Sequence, residues 1–482
     1  MSDGPGDRRL PILVAVSAVI ALAAVLDRTG ASASASRRAT LAVSADGPVV
    51  PRADAISTAW YCAEGTSAPG GRADETVVIA DLGDHDARAT VTVMPGGGRA
   101  SAVAALDVKA RSQASVRISD VAAVADPGVV VEVQGGPAVV EHMVTGNDDV
   151  GAGACATAPS PTWHFAAGTT VKGAQQWLAL FNPFGDDAIV DLSFLTDQGV
   201  KAPLEVQGLV VPRRSRVTVP IHDHVRRQAQ VATSVTARTG RVIAEQSLTL
   251  DGTDGRKGLA LSLGAVAPRA EWVFPSGSAA DGAAESLALA NPGPTPATVR
   301  IDTRLDGEAE LAPQTLTVPA LSTTVTDLRA RVPHGGGFWV DVRTTRGPPV
   351  VAEQLTVTGA PQRRALAETF GIPVPARRWV LALAGVDRGG IDVIVVVNPT
   401  RHAVRVGIDA YSGGRLDRLR ADGPSGDRFT SIPPGQRAVI ELGRLGVPGA
   451  AALVVEASGP VFVERADGGA PGLTLSPAVP DR

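Results

Sequence analysis

Four glutamates, Glu141, Glu245, Glu353 and Glu464, recur at spacings of 104, 108 and 111 residues, each inside an apolar run such as Val242-Ile243-Ala244-Glu245. A carboxylate in that setting serves either acid–base chemistry or a structural pairing, because burying a charge without a partner is costly. Glycoside hydrolysis needs two carboxylates side by side. Here one acid recurs per repeat with no second acid at fixed spacing, so a structural or inter-domain role is expected, with an arginine or loop amides as partner. By the alternation of a strand, Ile243, Glu245 and Ser247 share one face and Ala244, Gln246 and Leu248 the other.

Other residue types point to weaker chemistry. His222-Asp223-His224 sets two imidazoles on one face if the segment is a strand and is the best metal candidate, but no third ligand can be named and solvated loop histidines are the expected reading. Asp251-Gly252-Thr253-Asp254-Gly255 has calcium-like oxygens without the length or terminal glutamate of an EF-hand loop, so a hairpin turn is expected. The only two cysteines, Cys62 and Cys155, would pair in an oxidising compartment. No GxSxG, HExxH, GxxxxGK[ST] or helix-opening GxGxxG occurs, and βαβ patterning is absent. The sequence therefore offers no catalytic residue, cofactor site or metal site.

The elements around these residues are short runs of Val, Leu, Ile and Thr, broken by Gly, Pro and Asp every 8–12 residues, which is all-β patterning. Tryptophans open each unit, Trp60, Trp163, Trp272 and Trp379, at spacings of 103, 109 and 107. An Asn-Pro follows a hydrophobic strand at Asn182, Asn291 and Asn398, three of only four asparagines in the chain, and Asp81-Leu82 stands at the matching place in the first unit. Such an Asx side chain turns back onto the backbone two residues on, and the proline ends the strand. The tryptophans read as plugs at the junctions between domains; the competing reading is an exposed row stacking on sugar rings.

Four copies of about 105 residues with some seven strands each predict immunoglobulin-like β-sandwiches over residues 58–158, 159–268, 269–376 and 377–482. Because each such unit buries its own core, beads on a string are expected rather than a closed array, with a reach of about 100–150 Å. Ahead of them lie a nine-residue tail, an uncharged run from Leu10 to Leu26 behind Arg8 and Arg9, and an Ala/Ser-rich linker over 27–57. The run reads as a single transmembrane helix with the C-terminal region extracytoplasmic; small residues at Ala31-Ser32-Ala33 make signal cleavage and secretion the alternative.

With 45 basic against 49 acidic residues, a net charge of −4 leaves no footprint for nucleic acid. Only four lysines among abundant Ala, Val, Gly and Arg look like a GC-rich actinobacterial composition. The membrane run, Trp60-Tyr61-Cys62 and the repeated NP and AE motifs resemble an uncharacterised actinobacterial family of unknown function. That resemblance implies an envelope location and no activity. The expected function is a non-enzymatic, membrane-anchored interaction or scaffold module of the cell envelope, with envelope proteins or cell-wall glycan as partners; carbohydrate binding by Trp60, Trp163, Trp272 and Trp379 is the alternative.

Overall fold

The computed structural model describes residues 47–482 apart from 147–148, 308–310, 361–362, 383–390, 421–426, 448–450 and 470–471. The expected membrane run over 10–26 and most of the linker lie outside the described residues. No helix among the described residues is long and apolar enough to cross a membrane.

The β-branched runs form strands wherever a Gly, Pro or Asx turn bounds them. In the first unit these are β1 (Ser57–Cys62), β2 (Asp74–Asp81), β3 (Ala87–Met94), β4 (Ala102–Val108), β5 (Ser112–Arg117), β6 (Gly128–Gln134), β7 (Ala138–Thr145) and β8 (Val150–Ala154). They make two antiparallel sheets, β1-β6-β3-β4 and β5-β2-β7-β8. The same two orders recur over residues 162–263, 271–370 and 376–481, so the chain is all-β and repeated. In the fourth unit the sixth and seventh strands are one continuous strand, Ala452–Gly469, which passes from one sheet into the other.

The units close into a ring, which corrects the expectation of beads on a string and of a long reach. The eighth strands, β8, Lys257–Leu263, Arg363–Phe370 and Gly472–Pro477, touch one another in cyclic order, and the fourth returns to the first. The sixth strand of each unit carries at least four consecutive buried residues, so both of its faces are covered there, which an isolated sandwich does not need. Val131 faces the interior of its own unit, while its neighbour Val130 packs with Phe181 and Leu180 of the second unit. Likewise Val380, Ala382 and Val454 of the fourth unit share a core with Trp60 and Val140 of the first. Each fully buried valine is worth about 1.5–3 kcal/mol, so leaving these second faces in water would be unfavourable.

Two glycines set how closely the eighth strands approach. A Cβ on Gly151 would lie 2.6 Å from Leu261 Cβ, and one on Gly258 2.4 Å from Leu366 Cβ. Both lie in strands rather than turns, where glycine marks close approach of neighbouring chains. The first described residues meet the last strand at the closure: the Val50 amide donates to Pro480 O at 3.0 Å, and strand Val479–Asp481 pairs with Ala376–Ala382.

Cys62 and Cys155 are joined in a disulfide across the first unit, 93 residues apart. Closing a loop of that size removes about 4–5 kcal/mol of unfolded-chain entropy in the chain model. The Cys62→Ala/Cys155→Ala double variant is expected to lose about that much stability in urea titration; a loss below about 1 kcal/mol would mean that residual structure in the denatured chain offsets the loop-closure entropy.

Candidate functional site

Each recurrent glutamate sits on the seventh strand of its unit and reaches across to the preceding one. Glu245 Oε2 accepts from the Ala63 and Glu64 amides at 2.8 and 2.6 Å. Glu353 Oε2 accepts from Ala166 and Ala167 at 3.0 and 2.9 Å. Glu464 accepts from the Ser276 amide at 3.0 Å and the Thr369 hydroxyl at 3.1 Å, and Glu141 accepts from the Ala382 amide at 3.2 Å. The amide donors lie in or just past the first strand of a unit, and Thr369 in an eighth strand, so the bonds run from each unit to the next and from the fourth back to the first. All four glutamates are buried.

A second polar constellation, absent from the sequence reading, backs this ring. The residue after each glutamate, His142, Gln246, Gln354 or Arg465, points to the opposite face and pairs with the second strand of its own unit. His142 Nδ1 lies 3.1 Å from Glu75 Oε1, and Gln176 Nε2 donates to Gln246 Oε1 at 2.8 Å. Gln354 Nε2 donates to Glu285 Oε2 at 3.2 Å, and Arg465 grips Asp392 through Nε and Nη2 at 2.9 and 3.0 Å. The signal was present: Glu75, Gln176, Glu285 and Asp392 each stand six residues before the recurrent Asx. It escaped notice because the residue type changes while its place does not. At the junction between the first and second units, His142 Nε2 also lies 3.5 Å from Glu245 Oε1, and the buried Arg216 donates to Gly65 O at 2.6 Å and Glu64 Oε1 at 3.1 Å.

Burial pushes the carboxyls up, to about 7 for Glu141, Glu353 and Glu464, about 8 for Glu285 and about 6 for Glu75. Burial opposes the His142 charge, yet the carboxylates of Glu245 and Glu75 raise its pKa to about 9. Cys62, Cys155 and His142 bring potential ligand atoms within 4.8 Å of one another. The sulfurs are bonded to each other, however, and a metal needs free thiolates.

The other recurrent residues act locally. Asn182, Asn291 and Asn398 each accept from the amide two residues on, at 3.0, 2.9 and 2.9 Å, and donate through Nδ2 to main-chain carbonyls, including Val211, Val318 and Ile432. Asp81 keeps the first bond, to Gly83 N at 2.8 Å, but leaves Oδ2 buried with no hydrogen-bond partner, and burial pushes its pKa to about 6. The indoles of Trp163, Trp272 and Trp379 donate to Val242, Val350 and Val461 carbonyls at 2.8, 2.9 and 3.1 Å, within their own units, while Trp60 Nε1 finds no acceptor. All four rings are at most 3% exposed, which denies a sugar ring a face to stack on.

His222 and His224 lie on a single helical turn, Ile221–His224, rather than on the strand that the metal reading required, because Pro220 ends the preceding strand. Two residues along a helix point about 200° apart, so the imidazoles do not share a face; His222 instead bonds Gln176 O and meets the edge of Trp177. Asp251–Gly255 forms the hairpin turn between strands Ile243–Asp251 and Lys257–Leu263, with Asp251 Oδ1 accepting from the Thr253 amide.

Glu245→Ala would strand two buried amides and is expected to lower stability by about 2–4 kcal/mol, read by denaturant unfolding; a loss no larger than that of an exposed Glu→Ala change would show that the junction does not depend on it. Each raised acid stabilises the fold fully below its unfolded pKa, and the benefit is lost as pH rises through about 6–8. The His142 benefit, present below about 6.5, is lost through about 9. The unfolding temperature should therefore fall from pH 5 to 9. Asp81→Asn should supply the missing donor and add about 1–2 kcal/mol at pH 8 with little effect at pH 4; an equal effect at both would exclude ionisation of Asp81 as the cause.

Residues 144–256 and 247–357 match the model described as "Family of unknown function (DUF5719)". Each match runs from the end of one unit through most of the next, so the family's repeat spans a junction. No curated protein matches the chain. Among solved structures, a crystal structure of Thermotoga maritima 1070 matches at 19% identity over 22% of this chain and 93% of that one, with a TM-score of 0.20. A tetra-tandem repeat from the extending region of a large adhesion protein matches at 12% identity over 88% of this chain and 99% of that one, with a TM-score of 0.11. A Streptomyces avermitilis alpha-L-rhamnosidase matches at 12% over 84% and 56%, with a TM-score of 0.09. These scores are too low to bear on this chain's fold. Over residues 144–357, therefore, the chain matches a family of unknown function with repeated units, in line with the resemblance carried by its repeated motifs.

Proposed function

We propose that the chain is a non-enzymatic, membrane-anchored, extracytoplasmic module of the cell envelope, with its interaction surface on a rigid ring of four sandwiches. The supporting observation is that the most regular residues of the sequence, the recurrent tryptophans, Asx residues and glutamates, are all buried. Most of them bond within the ring. What meets solvent is the set of turns and edge strands that differ from unit to unit, as suits binding rather than a shared reaction. The buried disulfide fits an oxidising compartment. Within this reading we take the sandwich as immunoglobulin-like with its terminal strands exchanged: the 2–5 and 3–6 pairings of that fold are kept, while strand 1 lies beside 6 and strand 7 beside 2.

The test is in-cell crosslinking on intact envelopes, then recovery of residues 47–482 with whatever is attached, alongside protease treatment of unbroken cells. Cleavage from outside and recovery of one or two envelope proteins are the expected results. Protection from external protease would overturn the location, and recovery of cell-wall glycan without protein would overturn the partner class.

A further inference from the structure

The four junctions place the same carboxylate in the same position but neutralise it differently. Glu245 faces His142, Glu141 lies near Arg465, and Glu464 lies near Arg437. At the junction between the second and third units no described cation pairs with Glu353, and a second carboxylate, Glu368, has been added. In the strand register Glu353 pairs with Phe370 and Leu355 with Glu368, so the two acids are diagonal neighbours on one face, within reach of each other. The residues at the place of Glu368 in the other units are Ala152, Leu261 and Leu475.

Both acids are almost wholly buried, and their oxygens lack donors. Neither oxygen of Glu368 accepts a hydrogen bond, and Glu353 Oε1 accepts none either. The Ser262 hydroxyl on the adjoining eighth strand approaches Glu353 and the Gln246 amide approaches Glu368, but neither contact has good hydrogen-bond geometry, and the carbonyl of Gln176, whose amide is bonded to Gln246, has no partner. Ser262 is 6% exposed and Gln176 fully buried. One shared proton would join one oxygen of each acid and leave the rest unsatisfied, whereas a cation lying between the acids would be met by several oxygens at once.

We propose that Glu353, Glu368, Ser262 and Gln176 form a site for a hard divalent cation, best suited to calcium, at this junction. All the donors are oxygens, with no thiolate or imidazole among them, which excludes a preference for zinc or copper. Calcium accepts six to eight oxygens in irregular geometry, so several protein oxygens and water complete its shell, while magnesium demands a near-ideal octahedron. The ion supplies the positive charge that His142 and the arginines supply at the other junctions. Glu353 serves the ion and the amides together, one oxygen to each.

The full chain, stripped with a chelator and titrated with calcium chloride alone, tests this by calorimetry and thermal unfolding. One ion per chain should bind, the unfolding temperature should rise by roughly 3–5 °C at about 100 times Kd, and binding should strengthen from pH 5.5 to 8 as calcium displaces the proton. Glu368→Leu, which installs the residue found at this place in the second and fourth units, should fold and lose the calcium response. Absence of binding by the native chain at millimolar calcium, with Glu368→Leu more stable than the native chain, would mean that the acids share a proton only. Unaltered binding in Glu368→Leu would place the ion elsewhere. Either result overturns the proposal.

Discussion

A carboxylate kept out of water must find donors, and main-chain amides that leave the edge of a sheet must find acceptors. At each junction of this ring the two needs meet: the glutamate of one unit takes the amides of the one before it. Removing either side leaves the other buried and unpaired, so the arrangement tolerates little local loss. The sixth strands, covered on both faces where units meet, add area to the same contact, and the glycines of the eighth strands allow the approach that contact requires. Ring closure thus follows from a requirement repeated four times.

The constellation behind the glutamates shows how a repeated place can carry different chemistry. A histidine with a glutamate, two glutamines, a glutamine with a glutamate, and an arginine with an aspartate occupy one position in turn. Each couple makes at least one hydrogen bond or ion pair within itself. They differ in the charge they present to the glutamate of the next unit, from cationic in the first and fourth units to neutral in the second. That difference leaves a single junction without a nearby cation, and there burial together with the neighbouring Glu353 pushes the Glu368 carboxyl toward its protonated form.

Much of the fold was legible because it is local. An Asx side chain reaches the amide two residues on whatever surrounds it, and the three asparagines do so. Alternating runs between turn residues become strands for the same reason, and the all-β repeat followed from them. The metal reading of His222 and His224 depended on strand geometry, which a single proline removed. The tryptophans were legible as buried, but the carbonyls that their indoles bond were not, because those lie 78 to 82 residues away along the chain.

The sequence by itself determined the number of repeats, the strand class, the Asx turns and the presence of an acid in an apolar run. Each rests on residues close together along the chain. Only the tertiary structure decided what those acids bond to, because the amides that meet Glu245 lie 181 and 182 residues away in sequence. It also decided that the units close, since closure depends on the second face of a sheet. A valine on that face reads in sequence like any other core residue, and only the neighbour that covers it distinguishes a ring from a string.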